Sequence, residues 1–379
     1  MKEIIPSSVL EILEILQSYN FTSYLIGGCV RDFLLGISPK DWDICTPATP
    51  QEILKIFPHS LALGEKYGTI GVKTPIGIVQ ITTFRTESLY EDFRHPQVKF
   101  CKNLFEDLRR RDFTINAMAY NPQEGLIDYF DGQKDLANKT LRCIGESKKR
   151  FAEDALRILR LVRFSSRFDF EPCPNTLQEA INSATLLSHI STERIRDELL
   201  SIFQTSFWSK YFQTYRTIYS RVLPELHKPF KHKISNLSIL FAFIFQKQED
   251  LEALQRLKID KTTSKRVAIL FAHKHTFIEP QKIAIKLMLS KMGYDNFLAL
   301  LELQKLMERD VKKTYKILQN IMIADECFSL KDLKINGNDL IALGYERRKI
   351  GETLEKLLDE VIKEKIPNEK QALLSYLTP

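Results

Sequence analysis

The spacing of apolar residues divides the chain into two parts of different character. From Val9 to Leu16 the apolar residues recur at helical spacing, which predicts a helix. Short apolar runs bounded by Gly and Pro predict strands at residues 24–26, 41–45, 69–73 and 77–83. After about Leu141 the strand signals stop, and Leu, Ile, Lys and Glu recur at helical periods. The pattern therefore predicts a small α/β head followed by an all-helical part.

Length and composition are typical of a globular chain with two or three domains. The 379 residues are 44% hydrophobic and 27% charged. No apolar run reaches the roughly 18 residues of a membrane span, and the first residues show no signal-peptide pattern. The six cysteines are scattered without metal-binding spacing, so we interpret them as reduced thiols. These features predict a cytoplasmic protein with no membrane partner, and they leave its oligomeric state open.

The positive charge lies outside the predicted head. Residues 1–140 hold 15 basic and 18 acidic side chains, a balance of −3. Residues 141–379 hold 40 and 30, a balance of +10. An excess of basic residues in a separate region is typical of proteins with a polyanionic partner.

The first candidate site is the run GGCVRD at 27–32, followed by DWD at 41–43. Asp41 and Asp43 alternate on a predicted strand, so both point to one face and can hold a divalent ion. Two glycines allow backbone N–H groups, Gly28 among them, to approach a triphosphate, and Arg31 would meet phosphate or substrate hydroxyls. The alternative is a turn and a hydrated loop with two unrelated acids.

The second candidate site is RRRDFTINA at 109–117. Arg111 would clamp the triphosphate beside the metal site. Asp112 would orient that arginine or meet the ribose, and Asn116 would cap a helix or contact the sugar. The alternative is an exposed basic patch.

The third candidate site is EDALRILRLVRF at 153–164. Asp154, Arg157, Arg160 and Arg163 are three residues apart, which predicts one ridge of a helix. A carboxylate accepts from the exocyclic amine of cytosine or adenine, and a guanidinium donates to the neighbouring ring nitrogen. Asp154 with Arg157 thus suits a pocket for C and A, with Arg160 and Arg163 reaching phosphates. The alternative is a set of salt bridges on a solvated face.

In this order and spacing, the three motifs resemble those of class II CCA-adding enzymes and bacterial poly(A) polymerases, in the polymerase-β superfamily. The likeness covers nearly the whole chain, with further matches at 190–195 and 332–341. It implies an α+β fold: a polymerase-β-like nucleotidyltransferase head followed by an elongated all-helical neck, body and tail. The expected divisions are head 1–140, neck 141–205, body 206–325 and tail 326–379.

The resemblance also implies the site residues. It places Mg²⁺ on Asp41 and Asp43, and it assigns nucleotide contacts to Gly28, Arg31, Arg111, Asp154, Arg157, Arg160 and Arg163. At one position the chain departs from the pattern, because relatives often have an acid where Gln80 stands. Metal binding would then depend on the pair alone.

The activity implied is template-independent addition of C, C and A from CTP and ATP to the 3′ end of tRNA, with release of pyrophosphate. CC-only and poly(A) addition remain open. Residues 86–96 resemble the flexible loop of full CCA-adding members, and the tail match disfavours poly(A) addition. A small-molecule nucleotidyltransferase or a non-catalytic tRNA-binding module would also account for these motifs. The basic helical half disfavours the former, and the intact carboxylate pair disfavours the latter.

Overall fold

The computed structural model describes residues 4–90 and 96–377, except the side chains of 87–90, 96 and 97. Packing divides the chain into two compact units, Met1–Lys233 and Ile234–Pro379. Within the described ranges, no helix is long and apolar enough to cross a membrane. The boundary between the units lies inside the segment 206–325, and the limits of the four expected divisions stay predictions.

Every strand in the described part of the chain lies in the first unit. They are β1 Tyr24–Ile26, β2 Asp43–Thr46, β3 Leu61–Gly64, β4 Thr69–Thr74, β5 Gly77–Thr83, β6 Arg85–Tyr90, β7 Pro96–Phe100, β8 Met118–Asn121, β9 Gly125–Asp128, β10 Thr140–Leu141 and β11 Glu171–Pro172. Among the described residues, seven of these form one sheet in the order β3-β4-β5-β2-β1-β8-β9. Strand β2 runs parallel to β5 and antiparallel to β1, so it lies in the middle of the sheet. The first residues of β2 are therefore held rigidly, and so are the side chains they carry.

The helices of the first unit pack around and beyond this sheet. They are α1 Ser7–Ser18, α2 Gly28–Leu34, α3 Pro50–Ile56, α4 Leu104–Arg109, α5 Gly132–Ala137, α6 Ser147–Glu153, α7 Leu156–Phe168, α8 Pro174–Asn182, α9 Thr192–Phe203, α10 Trp208–Tyr211 and α11 Arg216–Val222. Helix α7 buries an apolar stripe that includes Ile158, Leu159 and Val162, and it packs against α9. Burial of this stripe fixes the arginines on the other positions of α7.

The described part of the second unit consists of helices and their connections. These helices are α12 Leu237–Ile244, α13 Glu252–Arg256, α14 Lys261–His273, α15 Lys282–Met292, α16 Tyr294–Leu306, α17 Lys312–Ile323, α18 Gly337–Ala342, α19 Arg347–Ile362 and α20 Lys370–Leu377. The buried Lys274 side chain donates from Nζ to the carbonyl oxygens of Ala242 and Phe245, at the end of α12. A lysine thus satisfies helix carbonyls that would otherwise lack partners.

The structure confirms the predicted fold class, an α/β head followed by helices. Helix α1 and the strands predicted at 24–26, 69–73 and 77–83 are present. The strand predicted from Asp41 begins instead at Asp43, because pairing with β5 starts only where the Gln80 amide donates to the Trp42 carbonyl oxygen. A second correction is β11, which pairs with β10 inside the part predicted to be wholly helical.

Candidate active site

Asp41 and Asp43 lie at the start of central strand β2. Asp43 is half-buried opposite Gln80 of β5, and Asp41 is exposed just before the strand. Burial raises the pKa of Asp43, the Asp41 carboxylate raises it further, and Arg111 opposes both effects. Two carboxylates that repel each other fit a divalent cation, which would neutralise both. In the described ranges no group of three His, Cys, Asp or Glu side chains is placed to hold a metal, so the pair stands alone with the exposed Gln80 beside it.

The turn between β1 and α2 is shaped by Gly27. Its φ is +70°, a conformation that side chains other than glycine rarely adopt. A Cβ at this position would lie only 2.6 Å from Nη1 of Arg111. Gly27 is thus required twice, for the backbone conformation and for the close approach of the guanidinium. The adjacent Gly28 is the first residue of α2.

Arg111 lies beside a buried acid, Asp107. The Asp107 side chain is fully buried, and its Oδ1 accepts from Nε of Arg110 at 3.0 Å. Its Oδ2 lies 3.8 Å from Nη2 of Arg111. We expected Asp112 to orient Arg111 or to meet the ribose; in the structure Asp107 is the acid beside Arg111, and the ribose contact stays a prediction. The available signal was spacing, because Asp107 and Arg111 are four residues apart.

Asp112 connects the second motif to the first and the third. Its Oδ2 accepts from Nε of Arg160 at 2.8 Å, and its Oδ1 accepts from Nδ2 of Asn116 at 2.9 Å. Asn116 in turn accepts at Oδ1 from Nη1 of Arg31 at 2.5 Å. Burial would raise the pKa of Asp112, but Arg160, Asn116 and Arg157 outweigh it and hold that pKa well below its usual range. Asn116 therefore bridges two predicted site residues and does not cap a helix.

Arg31 is engaged on every side by the protein. It is 4% exposed, and its Nε and Nη2 donate to Oδ1 of Asp32 at 2.8 and 2.5 Å. Asp32 also accepts at Oδ2 from Nη2 of Arg167 at 2.9 Å. A contact between Arg31 and substrate would have to replace one of these bonds, so the assigned nucleotide contact stays a prediction.

Two aromatic rings on α7 carry four guanidinium groups. Phe164 and Phe168 are stacked, with ring centroids 6.0 Å apart. Their faces are approached to within 4.7–5.3 Å by the guanidinium carbons of Arg31, Arg160, Arg163 and Arg167. The rings supply apolar area and a negative face, so they hold positive groups together without neutralising them.

Asp154 does not lie on the helix ridge that its spacing predicted. Helix α6 ends at Glu153 and α7 begins at Leu156, and Asp154 between them has extended backbone. Its carboxylate is held by Arg194, with Nη1–Oδ1 at 3.3 Å and Nη2–Oδ2 at 2.9 Å. Arg194 belongs to the segment 190–195, which the sequence flagged only as a further match. The local spacing could not reveal this partner, 40 residues further along.

Arg157 and Arg163 point to different neighbours. Arg157 is 7% exposed, and it donates to Glu153 at 2.8 Å and to the carbonyl oxygen of Arg110 at 2.9 Å. Arg163 forms an ion pair with Glu198 of α9 at 2.7 Å.

The segment 86–96, which we interpret as a flexible loop, includes residues 91–95. These lie outside the described residues, so the loop prediction is not placed.

Three family profiles together match most of the chain. The "Poly A polymerase head domain" profile matches residues 23–142. The profile "Probable RNA and SrmB- binding site of polymerase A" matches residues 169–228. The profile "tRNA nucleotidyltransferase domain 2 putative" matches residues 232–377. The fold and the carboxylate pair thus define a nucleotidyltransferase head of the poly(A) polymerase type.

Relatives identify the family. The CCA-adding enzyme of Bacillus subtilis is 34% identical over 393 residues, covering 97% of this chain and 96% of that enzyme. The CCA-adding enzyme of Lactobacillus delbrueckii is 47% identical over 197 residues, so the chain spans 50% of the length of that relative. The crystal structure of the Bacillus stearothermophilus CCA-adding enzyme in complex with CTP matches with a TM-score of 0.82 at 26% identity, covering 97% of this chain and 95% of that one. The chain belongs to the family of CCA-adding enzymes.

Proposed function

We propose that the protein is a template-independent tRNA nucleotidyltransferase. It adds C, C and A from CTP and ATP to the 3′ end of tRNA and releases pyrophosphate. The observation that carries the proposal is the Asp41–Asp43 pair beside the turn at Gly27, over which Arg111 lies, in a chain of this family. We further propose that it acts in the cytoplasm; the six cysteines are free thiols, which suits a reducing compartment.

Phosphoryl-type transfer requires positioning and neutralisation of charge more than covalent chemistry by the protein. Mg²⁺ would be held by Asp41 and Asp43, where it supplies charge neutralisation for the attacking and leaving oxygens. Arg111 lies over Gly27 and donates to the triphosphate from there. Arg160, Arg163 and Arg167 of α7 are each paired with a carboxylate, and the donors that these pairs do not use favour an anionic substrate.

Base selection falls to the break between α6 and α7. Asp154 is half-buried and fixed by Arg194, so its oxygens have a defined direction in which to accept from an exocyclic amine. Arg157 is largely buried, so donating to a ring nitrogen would require one of its present bonds to be exchanged for the base.

The division into head 1–140, neck 141–205, body 206–325 and tail 326–379 belongs to the same proposal.

The first experiment combines purified protein and Mg²⁺ with tRNA that ends at the discriminator base. Products are resolved at single-nucleotide length with each nucleotide alone and with CTP and ATP together. A stop at +2 with CTP and at +3 with both supports the proposal. A stop at +2 in both reactions identifies CC addition, and a long ladder with ATP alone identifies poly(A) addition.

The carboxylate pair is tested by Asp43→Asn, which keeps the shape of the side chain and removes its charge. We expect extension to be lost while tRNA still binds in a gel shift. Gln80→Ala is the matched control at the paired position on β5. Full activity of Asp43→Asn would overturn the metal assignment, and no extension by the unaltered protein would leave only a tRNA-binding module.

A further inference from the structure

A cleft beside the carboxylate pair has no assigned occupant. It lies between the second half of α7, the end of α9 and the loop before Asp41, with a volume of about 510 Å³. Lys40, Arg163 and Arg167 contribute cationic groups to its wall, and Ser201, Thr205 and Ser206 contribute hydroxyls. Among its described lining residues none is acidic, so the wall of the cleft is positively charged.

The charge of the cleft is only partly compensated. Glu198 lies against Arg163 at 2.7 Å, and Asp32 accepts from Arg167 at 2.9 Å. Each guanidinium has five N–H donors, so one ion pair leaves further donors of Arg163 and Arg167 that a ligand can use. Lys40 is exposed and has no ion-pair partner among the described residues. The cleft thus offers one unpaired ammonium and two guanidinium edges.

The position of the cleft indicates which anion it receives. Lys40 directly precedes Asp41, so their Cα atoms are about 3.8 Å apart. From Leu156 to Arg167, α7 rises about 16 Å at 1.5 Å per residue, which places the cleft well away from the base-selecting end. The phosphates of the incoming nucleotide are already assigned to Arg111 and the turn at Gly27. The strand that is extended must also reach Asp41 and Asp43, and it carries one charge per linkage.

We propose that this cleft binds a backbone phosphate of the RNA strand that is being extended, at one of its last three linkages. This rests on the proposed function and adds a subsite for the RNA, distinct from that of the nucleotide. Lys40 and Arg167 provide the donors. Such contacts position a strand without reading its sequence.

The direct test replaces Lys40 with Ala, with Lys40→Arg as the conservative variant. Lys55→Ala removes the same charge from exposed α3 in the same unit and is the matched control. We expect Lys40→Ala to raise the tRNA Kd about five-fold in gel shifts without nucleotide. The slope of log Kd against log salt should fall by about 0.7, the value for one single-strand phosphate contact. The KM for CTP should stay unchanged, and Lys40→Arg should restore tRNA binding.

A second test finds the phosphate itself. Acceptor-stem RNA hairpins lacking CCA are synthesised with one uncharged methylphosphonate at each of the last three linkages. At the contacted linkage, the unaltered protein should lose affinity, and Lys40→Ala should lose less, because only Arg167 remains there to donate. Additive losses at all three linkages would show that Lys40 contacts none of them.

The outcomes separate this inference from the proposed function. A raised KM for CTP with unchanged tRNA binding would overturn the inference and give the cleft to the triphosphate. Unchanged values for both ligands would show that no anion binds there. If the unaltered protein binds the RNA but extends nothing, the proposed function fails, and the binding experiments still decide whether the cleft holds the strand.

Discussion

Arg194 holds the carboxylate to which we assign base selection, so Arg194→Met is a sharp test of that assignment. Methionine keeps much of the length and apolar bulk of arginine but cannot donate. The substitution removes both bonds to Asp154, at 3.3 and 2.9 Å, and leaves the bond from the Leu156 amide to Oδ1 at 3.1 Å. The carboxylate then has one restraint where it had three.

The expected size follows from the burial of the pair. The side chains are 24% and 20% exposed for Arg194 and Asp154, between a surface pair and a buried one. Charge-assisted hydrogen bonds contribute about 1.5–3 kcal/mol and surface pairs about 0–1 kcal/mol, so about 1–2 kcal/mol is expected here. If that energy orients Asp154 toward the base, kcat/KM for CTP and ATP should fall about 5- to 30-fold.

The assay is single-turnover extension of tRNA with CTP, ATP, UTP and GTP, each over a range of concentrations. Selection for CTP over UTP should weaken, because UTP never gained from a correctly aimed carboxylate. The control is Arg196→Met on the same helix, since Arg196 contacts the exposed carboxylate of Asp197 at 2.9 Å. An unchanged ratio of CTP to UTP would refute the reasoning, and tighter binding of CTP would mean that Arg194 competes with the base for Asp154.

Three further predictions address the turn, the second unit and the response to acid. Gly27→Ala should lower extension about 100-fold, because its Cβ would lie 2.6 Å from Nη1 of Arg111 and would push this donor away from the turn. Gly125→Ala, which also has positive φ but open space around it, should stay active, and an inactive control would point to backbone strain alone. Lys274→Met strands two buried carbonyl groups, so urea unfolding should show a loss of about 1–3 kcal/mol. The fold lowers the pKa of Asp112, so the ionised carboxylate stabilises the folded protein. This contribution is fully present above the ordinary carboxyl pKa of about 3.9 and is lost as the pH falls below that value. Urea unfolding from pH 6 to 3 should therefore show a steeper loss for the unaltered protein than for Asp112→Asn.

Local signals were sufficient for most of the head. A three-residue apolar run before two glycines predicted β1, and the strands at 69–73 and 77–83 are separated by a Pro-containing turn. Such boundaries depend on backbone preferences of single residues, which the sequence displays directly. The carboxylates of Asp41 and Asp43 were singled out because they are two positions apart, but the strand begins only at Asp43, and their metal-binding role stays a prediction.

Residue spacing gave a wrong prediction at Asp154, where the helix is interrupted. Residues 154, 157, 160 and 163 keep a strict interval of three, yet Asp154 lies outside α7. The interval is compatible with a helix but does not require one, and nothing local to the motif reports that α6 ends at Glu153. A carboxylate between two helices is more exposed to a ligand than one on a packed ridge, so the correction strengthens its candidacy for base selection.

The pairing of charges could not be predicted, because it joins residues that are distant in the chain. Arg160 and Asp112 are 48 residues apart, and Arg167 and Asp32 are 135 apart. In the sequence the arginines of a motif cannot be told apart, whereas in the structure they differ in how far they are buried. Arg31 is 4% exposed and satisfied by protein acceptors, so its replacement should act through the position of Asn116 and Asp32. The arginines with exposed edges on α7 are the ones that remain able to bind an anion, and a signature residue is therefore not by itself a binding residue.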